Sequence, residues 1–349
     1  MNQLKKKKTG TTRRSSKVDN LLLKSLAAGH KKDLVTFAAR ELGLTRQAIY
    51  LHVRKLIEQK QIVASGKTKS RSYELHESVH EELVRITPDL EEHIIWEKQV
   101  QPYMPDLSRN ILDICFHGFT EIFNNVKDHS EGTICKISIA RTPLSITIGV
   151  DDNGIGIFNK LRQKFGLDDE HHAALELAKG KLTTDEQRHS GEGIFFTSRM
   201  FDVFAIFSRG FEFLHEKNDW IAKTEDSENT NGTSVRMKIN FGSTRTTQSI
   251  FDEFATGEDY GFVRTMVPIK LAKYGDVNLV SRSQAKRVLA RLERFQIVLL
   301  DFKDVDTIGQ AFADEVFRVF NLIHPDVQFE IVNANKHVKK VIDHVRSAI

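Results

Sequence analysis

Glu121 and Asn125 stand four residues apart in the run 119–130, so a helix there sets a carboxylate and an amide one turn apart on the same face. Asp128 and His129 carry that polar face one turn further. A carboxylate so placed can orient or deprotonate a water. An amide oxygen is a hard ligand of the kind Mg²⁺ takes, usually between phosphates. Further along, Val150-Asp151-Asp152-Asn153-Gly154-Ile155-Gly156 brings an acidic side chain to a strand end followed by two glycines. That carboxylate can accept a hydrogen bond from an adenine amino group, and it suits adenine better than guanine. Gly154 and Gly156 let the backbone approach the base and turn sharply beside it. His189-Ser190-Gly191-Glu192-Gly193-Ile194 places a second glycine pair at the start of a helical run, where backbone N–H groups can meet phosphates. Asn231-Gly232-Thr233 is a turn leading into an alternating strand.

These residues need a frame. Ile111, Ile114, Cys115 and Ile122 recur at helical spacing and predict a helix with a buried stripe ending in the polar face above. The alternating runs 134–139 and 144–150, joined by Arg141-Thr142-Pro143, predict an antiparallel hairpin that delivers Asp152. Residues 201–208, 211–223 and 234–240 supply further strands of a sheet backed by helices. Between the glycine pairs, 158–190 is long and charged and reads as a mobile lid, with Lys179, Lys181 and Arg188 available to phosphates. His171-His172 beside acidic residues has no fixed partner spacing, and no metal is assigned there.

Four elements in this order, over roughly residues 95–242, resemble the N box, the two glycine boxes and the final Gly-Thr strand of the GHKL (Bergerat-type) ATPases. That superfamily includes gyrase subunits, a heat-shock chaperone, histidine kinases and anti-sigma-factor kinases. The resemblance implies a two-layer α/β sandwich with ATP and Mg²⁺ as cofactors. It implies Glu121 as catalytic base, Asn125 as Mg²⁺ ligand and Asp152 as adenine reader. It also implies Gly154 and Gly156 flanking the base, Gly191 and Gly193 at the phosphates, and Thr233 near the adenine. His129, eight residues after Glu121, is most similar to the kinase branches, and Asp128 to the gyrase branch; both are cofactor-binding candidates. The branch stays open.

At 349 residues the chain suggests two or three domains. Only Cys115 and Cys135 are present, both in apolar contexts, so reduced core thiols and a cytoplasmic location are expected. No apolar run approaches the roughly 20 residues needed to span a bilayer. The N-terminus lacks the apolar stretch of a secretion signal. The net charge of +4 hides a polar split: residues 1–75 carry 18 Lys and Arg against 5 Asp and Glu, leaving 33 against 42 for the rest. Such asymmetry points to DNA or another acidic partner for the N-terminal part.

Residues 1–17 are predicted to be a disordered basic arm. In 18–75, two apolar helical patterns, the turn Gly43-Leu44-Thr45 with Thr45 as N-cap, a third helix and two short β runs around a basic loop resemble a winged helix-turn-helix domain. The resemblance implies DNA binding. Arg46, Gln47, Tyr50 and Arg54 would face the major groove, and Lys67, Lys69 and Arg71 the phosphates. Residues 76–105 are expected to form an acidic helical connector, and 106–242 the ATPase domain. His76, His80 and His93 lack the setting of a histidine-kinase phosphoacceptor, which disfavours that activity.

From 258 to 349 strands and helices alternate (262–271, 281–294, 296–301, 312–321, 327–332, 336–347), predicting a small layered α/β domain. The stretch 299–320 resembles STAS-like domains, the class that includes anti-sigma-factor antagonists. Their Asp-Ser-Ser/Thr-Gly phosphoacceptor pattern stands here as Asp306-Thr307-Ile308-Gly309, so a helix-starting turn is expected rather than a phosphosite. Altogether the chain is read as a multidomain α+β and α/β protein: an ATP-responsive DNA-binding regulator whose central module binds Mg·ATP and hydrolyses it slowly. The STAS-like domain would dock on a protein partner or on the ATPase itself, with no membrane involved. The alternative is a Ser/Thr protein kinase of the anti-sigma-factor type working by partner switching. A nucleotide-binding module without turnover is the third reading.

Overall fold

The computed structural model describes residues 17–182, 191–216, 219–223, 231–255, 261–273 and 278–347. The chain divides into two compact units: 1–80 with 139–147 and 240–242, and the remainder.

In the first unit, helix α1 covers residues 17–27, α2 is Leu34–Leu42 and α3 is Arg46–Glu58. Gly43 ends α2 in the left-handed region (φ 61°), as a C-terminal glycine commonly does. Thr45 then caps α3, its hydroxyl accepting from the Ala48 N–H at 3.2 Å. Leu22, Leu26, Leu34, Ala38, Ile49, Val53 and Leu56 form the core between the helices. Asp19 on α1 reaches His52 (2.7 Å) and Lys55 (2.8 Å) on α3. Strands β1 (Ile62–Ser65) and β2 (Ser72–Leu75) follow as an antiparallel ribbon, with Ile62 opposite Leu75 and Ser65 opposite Ser72.

A seven-stranded sheet has the order β3-β4-β5-β9-β6-β7-β8. Its members are β3 (Ser78–Arg85), β4 (Ile134–Arg141), β5 (Ser145–Asp152), β6 (Val203–Ser208), β7 (Phe211–His215), β8 (Asp219–Lys223) and β9 (Ser234–Asn240). Five helices accompany it. After the short α4 (Glu92–Ile95), continued by a π turn to Val100, comes α5 (Arg109–His129). It buries Ile111, Ile114, Cys115, Phe119, Ile122, Phe123 and Val126, the three- and four-residue spacing of one helix face. Then come α6 (Ile157–Phe165), α7 (Glu170–Lys179) and α8 (Gly193–Met200), with α8 packed on α5 and β6, and α7 on β7 and β8.

After α9 (Thr247–Phe254), a three-stranded parallel sheet orders β10 (Arg264–Pro268), β11 (Ile297–Asp301) and β12 (Gln328–Val332). Parallel neighbours need crossovers. These are α10 (Arg282–Leu289) and a continuous helical run of α11 (Gln310–Asp314), a π turn (Glu315–Val319) and α12 (Phe320–Ile323). Helix α13 (Lys336–Arg346) closes the chain.

Three stretches depart from the sequence reading. Ser78–Arg85, expected as part of a helical connector, is an edge strand. The strand expected over 262–271 stops at Pro268 and turns into a 3-10 segment. The helix expected over 281–294 ends at Leu289, and Arg291 (φ 62°) precedes a 3-10 turn. Gly309 and Ile308 behave as expected of a helix-starting turn: the Gly309 N–H donates to the Leu279 carbonyl and α11 begins at Gln310. Among the described residues no helix is long and apolar enough to cross a membrane. The basic arm (1–16) and Arg188 lie outside the described residues.

Candidate functional site

The helix, hairpin and glycine turns meet at one cleft of about 270 Å³. Its wall includes Glu121, Asn125 and His129 from α5, Asp152 from the end of β5, Gly156 at the N-cap of α6, Gly191 before α8 and Gly193 at its first position, and Thr233 before β9. Ile122, Val126, Ile157, Leu161, Leu177, Leu182, Ile194, Ile206 and Val235 supply its apolar lining. Residues more than a hundred positions apart thus share one concave surface with convergent polar groups, the usual form of a small-molecule site. Two expected members do not line it. Asp128 is exposed and does not line the cleft, although at seven residues from Glu121 it lies near the same helix face. Gly154 is buried within the turn rather than on the cleft wall.

The acidic turn is built around Asp152. Its Oδ1 accepts from the Gly154 N–H (2.8 Å) and the Thr233 N–H (3.2 Å), while its own N–H donates to the Thr233 carbonyl (2.9 Å). The Thr233 hydroxyl accepts from the Ile157 N–H at 3.0 Å, so one threonine joins β9, the acidic turn and α6. Gly232 is required here: its φ is +107° and a Cβ would fall 2.0 Å from the Asp152 carbonyl oxygen. Burial raises the Asp152 carboxyl above its ordinary value, and the N–H groups of Gly154 and Thr233 oppose that rise. At the other end of the cleft, a Cβ on Gly193 would lie 1.9 Å from Glu121 Oε2. A side chain at 193 would push that carboxylate from its place.

Lys160, a residue the sequence reading did not single out, also lines the cleft. Its ammonium donates to the His129 carbonyl (2.6 Å) and to Glu131 Oε1 (3.0 Å). Gly232 was visible only as part of a turn, and Lys160 only as one charged residue of the stretch read as a lid.

The lysines expected at phosphates are engaged elsewhere. Lys179 is fully buried, its ammonium held by Glu176 Oε1 (2.5 Å) and by the carbonyls of Arg287 (2.8 Å) and Ala290 (3.0 Å). Those carbonyls close α10, and a lysine on the final carbonyls of a helix satisfies groups that have no partner inside it. Arg291 adds a 3.3 Å contact to Glu176, Arg287 pairs with Asp168, and the Thr265 hydroxyl donates to the Lys179 carbonyl (2.6 Å). Burial pushes the Lys179 ammonium below its ordinary range, with Glu176 opposing. Lys181 donates to the Arg294 carbonyl at 2.9 Å. The stretch taken as a lid is therefore structured as α6 and α7 over most of its described length, and α7 belongs to the wall of the cleft through Leu177 while fastening onto α10. Among the described residues no group of three or more metal-ligating side chains forms, His171 and His172 included.

In the first unit, Arg46, Gln47, Tyr50 and Arg54 are all exposed on α3, with Tyr50 44% accessible. Arg54 pairs with Glu58 at 3.0 Å. Lys67 is exposed in the ribbon's loop. Arg71 is half-buried with its guanidinium over the Tyr73 ring at 5.5 Å, which makes it a less available contact than a free loop arginine. The side chain of Lys69 lies outside the described set. Both cysteines are free and buried, as expected, and burial pushes each thiol up to about 12.

None of the curated proteins matches the chain. Residues 284–339, from α10 into α13, match the family described as a STAS-like domain of unknown function (DUF4325).

Proposed function

We propose that this chain is an ATP-responsive DNA-binding regulator, with a GHKL-type site in the cleft, a winged helix-turn-helix in the first unit and the STAS-like domain as the reader of nucleotide state. The observation that carries the reading is the convergence of Glu121, Asn125, Asp152, Gly193 and Thr233 on one cleft. Asp152 is half-buried and held by the N–H groups of Gly154 and Thr233 and by the Thr233 side chain; a carboxylate has about four acceptor sites, which keeps capacity to accept from an adenine amino group. Guanine presents an oxygen at that position, and a carboxylate repels it. The donor set fits a magnesium nucleotide: Asn125 offers a hard oxygen, and the N-terminus of α8 offers backbone N–H groups and a positive dipole end to phosphates. Magnesium, when bound, would offset phosphate charge and align the terminal phosphoryl group. Glu121, kept in place against Gly193, holds the position of a base toward a water in the same cleft.

The route from nucleotide to the STAS-like domain is α7. Leu177 and Leu182 contribute to the cleft wall, while Lys179, between them, is locked onto the end of α10. A ligand that favours one placement of α7 therefore biases the STAS-like domain by its difference in affinity for the two placements. The exposed Arg46, Gln47, Tyr50 and Arg54 on α3 support the DNA part.

The direct test is DNA binding on genomic fragments with and without Mg·ATP. A nucleotide-dependent change in affinity, itself falling steeply with salt, supports the reading; no DNA binding in either state refutes its DNA half. Incubation with γ-labelled ATP separates slow hydrolysis from the protein-kinase alternative. Label on protein favours the kinase, and phosphate release alone favours the ATPase. Thr307 is only half-exposed, with Ile308 bridged to Leu279 beside it, so label on the chain's own Thr307 is not expected.

A further inference from the structure

The wall of the cleft along α5 has a direction. Glu121, Asn125 and His129 recur at one-turn intervals, which spreads them over about 12 Å of helix axis. The Glu121 end meets Gly193 at the start of α8. The His129 end meets the acidic turn, because the Ile155 N–H donates to the Ser130 carbonyl at 2.9 Å. Asp152 and His129 therefore mark the base end of the cleft, and Glu121 and Gly193 the far end.

Lys160 sits at the base end. It lies one turn into α6, lines the cleft, and its ammonium is held at 2.6 Å by the His129 carbonyl and at 3.0 Å by Glu131. Glu131 itself is in the left-handed region (φ 60°), a conformation non-glycine residues rarely adopt, and its carboxylate there pairs with Lys160. An ammonium has three N–H donors. Among the described residues two are engaged, which leaves one for an acceptor in the cleft. The side chain is only 22% exposed, so the charge is fixed rather than sweeping through solvent.

We infer that Lys160 is a phosphate-binding residue that recognises the first phosphate of the nucleotide, the one next to the ribose, and not the terminal phosphates. This rests on the nucleotide reading of the cleft. The geometry separates the roles along the site: Asp152 reads the base, Lys160 the first phosphate, and the Asn125–Glu121–Gly193 end the distal phosphates. A charged hydrogen bond to phosphate is worth on the order of tenfold to a hundredfold in affinity. The competing assignment is structural: Lys160 would merely neutralise the carbonyl end of α5.

The two assignments are separated by titrating the full chain with AMP and with adenosine, without magnesium, in the wild type, Lys160→Ala and Lys160→Arg. The inference expects the wild type to bind AMP more tightly than adenosine. It expects Lys160→Ala to lose about tenfold or more toward AMP with adenosine affinity unchanged, and Lys160→Arg to recover most of the loss. Equal weakening toward both ligands, with a lowered melting temperature, identifies a structural role and overturns the inference. Wild-type AMP affinity in Lys160→Ala also overturns it, while leaving the nucleotide site standing. If the wild type binds adenosine and AMP equally, the inference fails at its first step. If it binds neither, nor ATP, the reading of the cleft fails with it.

Discussion

Replacing Glu176 with glutamine tests how firmly α7 is tied to α10. The Glu176 and Lys179 side chains are 1% and 2% exposed, and among the described residues the ammonium is hydrogen-bonded by Glu176 and two backbone carbonyls. Glutamine keeps the shape but removes the counter-charge, leaving a buried cation that also faces Arg291. Removing one partner of a buried ion pair costs about 3–5 kcal/mol. For a unit of this size each kcal/mol moves the midpoint by about 2–4 °C, so Glu176→Gln should melt roughly 6–20 °C lower than the wild type. Lys179→Met leaves Glu176 paired with Arg291 but orphans the carbonyls of Arg287 and Ala290, at about 1–3 kcal/mol each. The double variant Glu176→Gln/Lys179→Met buries no unpaired ammonium and should be more stable than Glu176→Gln alone, a sign of direct coupling. Differential scanning calorimetry of the three variants reads this out. A shift under 2 °C for Glu176→Gln, or strict additivity in the double variant, would refute the buried latch.

Gly193→Ala should fold but lose nucleotide turnover at least tenfold, since its Cβ would drive Glu121 from its place; normal phosphate release by the variant would count against Glu121 at that position. Neither Cys115 nor Cys135 should react with a thiol reagent at pH 8 in the folded protein, both being buried with thiols pushed up to about 12, and both should react once urea unfolds the chain. Burial raises Asp152 in the folded state, so its ionised form costs stability above the folded pKa, and that cost fades as pH falls through it. Asp152→Asn should therefore have a urea midpoint at pH 7 equal to or above the wild type, with the difference shrinking toward pH 4.

Much of the cleft was legible because it is made of local patterns. The apolar stripe of α5 fixes which face Glu121 and Asn125 share, and the Asp152 turn follows directly from an alternating strand. Asp128 shares the polar run but is exposed and outside the cleft lining, because helical phase alone does not say how far a cleft reaches across that face. The strand Ser78–Arg85 was hidden because its apolar residues, Val79, Leu83 and Val84, do not alternate, and Val79 and Leu83 face outward at 59% and 70% exposure. Its conformation is set by pairing with β4, a tertiary cause invisible in the segment itself. Lys179 read as a lid residue available to phosphates, yet α7 is buried on most sides and its lysine finds acceptors more than a hundred residues away. Lys160 carries no sequence signal at all; it becomes informative only once His129 and Glu131 are beside it.

The central claim is that Asp152 makes this cleft an adenine-nucleotide site. Calorimetric titration of the full chain with Mg·ATP and Mg·GTP, in the wild type and in Asp152→Asn, tests it most directly. The account predicts one ATP per chain, much weaker GTP binding, and no measurable ATP binding by a variant that melts no lower than the wild type. ATP affinity in Asp152→Asn equal to that of the wild type would contradict it.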